Sequence, residues 1–166
     1  MENIYLEKAL KSFYMQDFQK LLLDERDFWK IDSQFVREAL IKINESVNVQ
    51  TLYSASNKRA GSVLENNYLK FCYTKNVELK IFREIIPTLI LRYNDLENDS
   101  KCFYLFGEPK INLNSRAEDN ENKFGLGCID DPNYFKVNHI QIFLECYHVN
   151  ISKQFWLELS EALGSL

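Results

Sequence analysis

The spacing of apolar residues changes once along this chain, near residue 100, and that change limits the fold more than any overall proportion. Upstream, the spacing is helical. Tyr5, Ala9, Phe13, Asp17 and Leu21 form one i,i+4 row and Leu6, Leu10, Tyr14, Phe18 and Leu22 the next, a broad apolar face. Asp24-Glu25-Arg26-Asp27 interrupts it before Phe28-Trp29, and Asp32-Ser33 offers an N-cap for a second helix with Phe35, Val36, Ala39, Leu40 and Ile43 inward. Residues 53–62 are small and polar and read as a loop. A third helix is expected after it, with Leu64, Tyr68, Phe71 and Cys72 on one side. The segment Val77 to Tyr93 fits two patterns. Val77, Leu79 and Ile81 alternate with Glu78 and Lys80 like a strand, while Val77, Ile81, Ile85 and Leu89 make a helical row. Its length favours a helix, and Pro87 predicts a kink or break in it.

Downstream, the period becomes that of strands. Lys101 to Phe106 is rich in aromatics and ends at the turn signal Gly107-Glu108-Pro109. Ile111 and Leu113 predict a short strand, and Phe124 to Ile129 another before the turn Asp130-Asp131-Pro132-Asn133. From about Val137 to Val149, Ile140, Ile142, Leu144 and Cys146 alternate with His139, Gln141, Phe143, Glu145 and Tyr147. That is the pattern of a half-buried antiparallel strand. Ser152 is expected to cap a final helix through Phe155, Trp156, Leu159 and Leu163. No repeat or low-complexity tract interrupts the chain. The whole, residues 1–166, reads as a single α+β domain. A helical N-terminal half (about 1–94) packs on a small antiparallel sheet, and a C-terminal helix closes it (sheet and helix about 101–166).

Composition narrows the chemistry. The 166 residues include 12 Phe, 9 Tyr and 2 Trp but only 2 His and 5 Gly. Aromatics fill cores and anchor protein interfaces, whereas histidine and glycine are common parts of catalytic pockets and phosphate loops. The formal charge of −4 argues against a direct nucleic-acid binder. The acidic start Met1-Glu2-Asn3-Ile4-Tyr5-Leu6-Glu7 does not read as a signal peptide, and no apolar run is long enough to be expected to span a membrane. Cys72, Cys102, Cys128 and Cys146 are widely spaced, three of them within apolar runs. The expected setting is cytoplasmic, with reduced thiols.

Few residues are spaced for catalysis. His139 and Glu145 stand about 20 Å apart on an extended strand, too far for a direct acid–base pair, and each histidine reads as a surface or edge-strand side chain. Cys146 and His148, with Cys128 from a neighbouring strand, lack the paired short spacing of a zinc site. Asp95, Glu97 and Asp99 alternate as in a calcium loop, but Ser100 and Phe106 occupy the glycine and glutamate positions. Neither a metal nor a cofactor is expected. Gly125-Leu126-Gly127 lacks the third glycine of a dinucleotide loop, and no phosphate-loop or nucleophile-elbow motif occurs. Ser54-Ala55-Ser56-Asn57-Lys58-Arg59 reads as a solvated loop rather than an anion site.

What stands out is acidity beside aromatics. Asp95, Glu97 and Asp99, then Glu118, Asp119 and Glu121, then Asp130 and Asp131 flank the expected strands. If these loops converge, their field would steer a basic partner, with Tyr134, Phe135, Phe143 and Tyr147 as aromatic anchors. A small acidic domain of this kind, with loops 95–99 and 118–121 and aromatic strands 101–106 and 134–147, resembles the immunity proteins of bacterial contact-dependent inhibition and related polymorphic toxin systems. The resemblance implies a non-enzymatic antitoxin that blocks a cognate toxin with a basic surface, often a nuclease. A phage-encoded inhibitor of a host nucleic-acid enzyme would use the same physics. A third reading is a small-ligand or enzyme domain with a pocket between helices and sheet, lined by Glu145, His139, Arg92 and Tyr147.

Overall fold

The computed structural model describes residues 5–23, 34–58, 63–108 and 137–166. In chain order these form α1 (Lys8–Leu23), α2 (Gln34–Asn44), β1 (Val49–Lys58), β2 (Glu65–Tyr73), a 3-10 turn (Lys75–Val77), α3 (Glu78–Lys80), a π-helical turn (Ile81–Ile85), α4 (Ile86–Tyr93), β3 (Lys101–Gly107), β4 (His139–Cys146) and α5 (Val149–Gly164). The four strands make one antiparallel sheet in the order β1-β2-β4-β3. The architecture is therefore α+β and ends on a helix. The core joins the sheet to α2, α4 and α5, with Val36, Leu40, Ile43, Leu69, Phe71, Ile140, Leu144, Phe155 and Trp156 all buried.

The second predicted helical face holds and the first holds in part, since α1 begins only at Lys8 and Ala9 is exposed. α1 buries Tyr14 and Phe18, from the row that begins at Leu6, and α2 buries Val36, Ala39, Leu40 and Ile43. The next stretch does not hold: residues 53–58 are strand rather than loop, and the expected helix through Leu64, Tyr68, Phe71 and Cys72 is β2. Half of the sheet therefore comes from the first ninety residues. Along β2 the odd positions face the helices, and two of them, Glu65 and Asn67, are polar. Their side chains meet partners from α5. Ser152 Oγ donates to Glu65 Oε2 at 2.8 Å, Asn67 Nδ2 donates to Ser152 Oγ at 2.8 Å, and Trp156 Nε1 donates to Asn67 Oδ1 at 2.9 Å. Ser56 on β1 adds a bond to Asn67 Oδ1 at 2.7 Å. Ser152 is thus a buried residue inside α5, and the N-cap is His148, which makes no side-chain capping bond.

From Lys75 to Tyr93 the chain is helical, and the irregularity that Pro87 predicts takes the form of a π turn. An i→i−4 bond at Pro87 would need a donor that proline lacks, and its ring would strike the Arg83 carbonyl. The turn over Ile81–Ile85 widens the winding instead, with the Ile86 N–H bonding to the Ile81 carbonyl, and Pro87 falls in the first turn of α4. There no N–H is needed.

The strands β3 and β4 lie within the two runs read as strands, and β4 shows the expected alternation, with Ile140, Ile142, Leu144 and Cys146 buried. His139 is not a surface or edge residue. β4 is an interior strand, and the ring is buried with Nδ1 3.2 Å from the Val137 carbonyl. Gly107, its cross-strand partner, leaves room for the ring, since a Cβ there would stand 2.0 Å from His139 Nε2. The readings for 24–33, for strands at 111–113 and 124–129, and for Cys128 lie outside the described residues.

Candidate functional site

The acidic loop after α4 is built by its own side chains. Asn94 ends the helix by donating Nδ2 to the carbonyls of Ile90 (3.0 Å) and Cys102 (2.7 Å), while its Oδ1 accepts the Cys102 N–H at 3.1 Å. The amide thus pairs with β3 as a strand backbone would. Asp95 and Ser100 then form a two-way bridge at 3.1 and 3.0 Å, and Ser100 Oγ ties back to the Tyr93 carbonyl at 2.6 Å. Within the bridge, Asp95 accepts the Glu97 N–H at 3.0 Å and the Asn98 amide at 2.7 Å. This is an Asx turn. Asp99 takes a left-handed φ of 50°, which aspartate tolerates better than most residues.

Two consequences follow for recognition. The Asn98 and Glu97 donors hold the Asp95 carboxyl below its usual pKa. The tip presents Leu96 at 95 % exposure between Asp95 and Glu97. A fully exposed leucine in a bonded acidic turn is an ordered apolar contact within negative field.

The ladder decides what lies beside this loop. Lys101 pairs with Glu145, so the continuation of β4 to Tyr147 runs to the same end of the sheet as Asp99. Tyr147 is exposed there. Asp95, Glu97, Asp99 and Tyr147 therefore share one end of the sheet. Gly107 and His139, where the chain leaves β3 and re-enters β4, stand at the other end. Glu118, Asp119, Glu121, Asp130, Asp131, Tyr134 and Phe135 lie outside the described residues. Phe143 belongs to a cross-strand row, with Tyr68 on one side and Phe103 stacked on the other at 4.7 Å and 11°. The Lys101 ammonium lies over the Phe103 ring.

The residues of the enzyme reading do not converge. His139 and Glu145 occupy opposite ends of β4, and Arg92 pairs with Glu158 at 2.7 Å. Cys72, Cys102 and Cys146 are free, buried thiols, and burial raises the pKa of each, that of Cys102 to about 12. Such thiols are poor nucleophiles. Among the described residues no group of three His, Cys, Asp or Glu is placed to hold a metal, and no helix is long and apolar enough to cross a membrane.

Among the described residues a concavity forms between two helices. A groove of about 400 Å³ is lined by Glu84, Ile85, Thr88 and Leu89 from the π turn and α4, and by Glu158, Glu161 and Ala162 from α5. The sequence reading missed it, although Glu84/Thr88 and Glu158/Glu161/Ala162 sit at spacings that share a helix face. It equally missed Leu96 and the Asn94 clamp; an asparagine directly after a helical run is the signal for the latter. Comparison of the chain with protein-family models, curated proteins and solved structures finds no match.

Proposed function

We propose that this chain is a protein-binding inhibitor, an immunity protein that occupies a cognate toxin with a basic surface, best sought among nucleases. The observation that carries the reading is the prebuilt turn at Asp95–Ser100, which holds Asp95, Glu97 and Asp99 around the exposed Leu96. A preordered loop loses little conformational entropy on binding, and its charge speeds encounter with a basic partner. Tyr147 at the same sheet end supplies an amphipathic aromatic contact of the kind enriched at interfaces.

The test is direct binding to the product of the adjacent reading frame. Calorimetry should show a stoichiometric complex whose association slows at high salt, and Leu96→Asp should weaken it at least tenfold. No binding to that product, or binding indifferent to both salt and Leu96, refutes the proposal.

A further inference from the structure

The groove between α4 and α5 has two features that call for one kind of occupant. Its floor is apolar, from Ile85, Leu89 and Ala162, and its rim carries the carboxylates of Glu84, Glu158 and Glu161. Arg92 offsets one of these through Glu158, and it remains more than half exposed while Glu158 is mostly covered. The rim therefore keeps an excess of negative charge above an apolar floor. Beside Glu158 lies a second oddity. The Tyr93 hydroxyl is buried and lacks a hydrogen bond of good geometry; burial first, and then the neighbouring Glu158 carboxylate, raises its pKa.

An apolar trough with an anionic rim complements a long cationic side chain, whose methylenes cover apolar surface while the head remains polar. A carboxylate rim also gives guanidinium its strongest hydrogen bonds. The volume, about 400 Å³, lies at the small end of ligand pockets and has room for a long side chain. The groove is continuous in the chain with the acidic turn, because α4 runs from its floor to Asn94.

We infer that this groove receives an arginine side chain projecting from the basic protein partner, a second contact that rests on the inhibitor reading above. The stem lies on Ile85, Leu89 and Ala162, and the guanidinium meets the carboxylates of the exposed Glu84 and Glu161, Glu158 being held by Arg92.

The experiment titrates the full ¹⁵N-labelled chain with a blocked helical peptide carrying one arginine flanked by leucines. Parallel titrations use the same peptide with citrulline in place of arginine, and spermidine as a free polycation. The expected result is shifts at the amides of Glu84, Ile85, Thr88, Leu89, Glu158, Glu161 and Ala162. Affinity should fall about tenfold or more with citrulline, and again in the exposed-site variant Glu84→Gln/Glu161→Gln. Shifts elsewhere, equal binding of the citrulline peptide, or spermidine saturating the groove at the same concentrations would overturn the inference. The neighbouring reading frame plays no part in this titration. An inert groove with intact toxin binding therefore refutes the groove alone, and an arginine-specific groove without toxin binding refutes the inhibitor reading.

Discussion

Asn67→Ala is the sharpest test of what holds α5 to the sheet. The Asn67 amide uses its full capacity: Oδ1 accepts from Trp156 Nε1 and Ser56 Oγ, and Nδ2 donates to Ser152 Oγ and, at 3.4 Å, to the Leu144 carbonyl. Truncation strands the Trp156 N–H, which has no route to water because the indole is fully buried. A buried donor left unsatisfied costs about 1–3 kcal/mol. Ser56 is half-buried and its hydroxyl can turn to solvent, so it adds little. Ser152 keeps its bond to Glu65. Including the small void, the expected loss is about 3 kcal/mol, a large part of a typical domain stability of about 5–15 kcal/mol. Trp156→Phe should cost less, because it removes the donor along with the bond and leaves Asn67 Oδ1 to Ser56. Urea unfolding followed by circular dichroism would measure both, with an unchanged m-value showing that the denatured state is unaltered. The double variant closes the cycle and should show coupling of at least 1 kcal/mol. An Asn67→Ala loss below about 1 kcal/mol, or strict additivity with Trp156→Phe, would refute this account.

Three further outcomes are expected. Gly107→Ala drives a methyl into the buried His139 ring and should destabilise the fold by about 1–3 kcal/mol; thermal melts check this, and His139→Ala should relieve it in the double variant. Lys11 donates Nζ to the carbonyls of Asn44 and Val49, and burial lowers its pKa to about 8; the folded chain then sheds this proton before the unfolded chain does, so the stability of wild type relative to Lys11→Met should climb as pH rises from about 8 towards the ordinary lysine value, and a flat difference in pH-dependent unfolding would contradict it. Tyr93→Phe deletes a buried hydroxyl that lacks a hydrogen bond of good geometry while keeping the ring against Phe155, so calorimetric melting should show a neutral or stabilising change, and a loss above about 1 kcal/mol would reveal a bond to Glu158.

The legible parts of the sequence were those whose buried positions are apolar. α1, α2, α5 and β4 bury Leu, Ile, Val and aromatic side chains at the period of their backbone, so periodicity alone locates them. The β1–β2 hairpin was illegible for a specific reason. Glu65 and Asn67 occupy inward positions of β2 and Ser56 joins them from β1, so a period-2 pattern reads as polar noise. A shift in register between Thr51 and Tyr53 breaks the alternation of β1 as well. Only the partners 85 to 89 residues away, Ser152 and Trp156, make those polar choices sensible, and no local window contains them. The same limit applies to the site. The acidity of Asp95, Glu97 and Asp99 was visible, but the rigidity came from Asn94 reaching Cys102. The groove required α4 and α5 to become neighbours.

That rigidity bears on how such a surface would work. Tyr93 is the shared support: its ring packs edge-on to Phe155 of α5 at 5.3 Å, and its carbonyl accepts the Ser100 hydroxyl that closes the acidic turn. One end of the residue therefore fixes the wall of the groove and the other fixes the loop. A surface anchored this way does not need to reorganise to meet a partner, so its carboxylates would act mainly on encounter rate, and Leu96 and the groove floor on residence time. Rim charges and apolar contacts should consequently separate in kinetics. Neutralising Glu97 or Asp99 would slow association and flatten its salt dependence, whereas trimming Leu96 would hasten dissociation at any ionic strength.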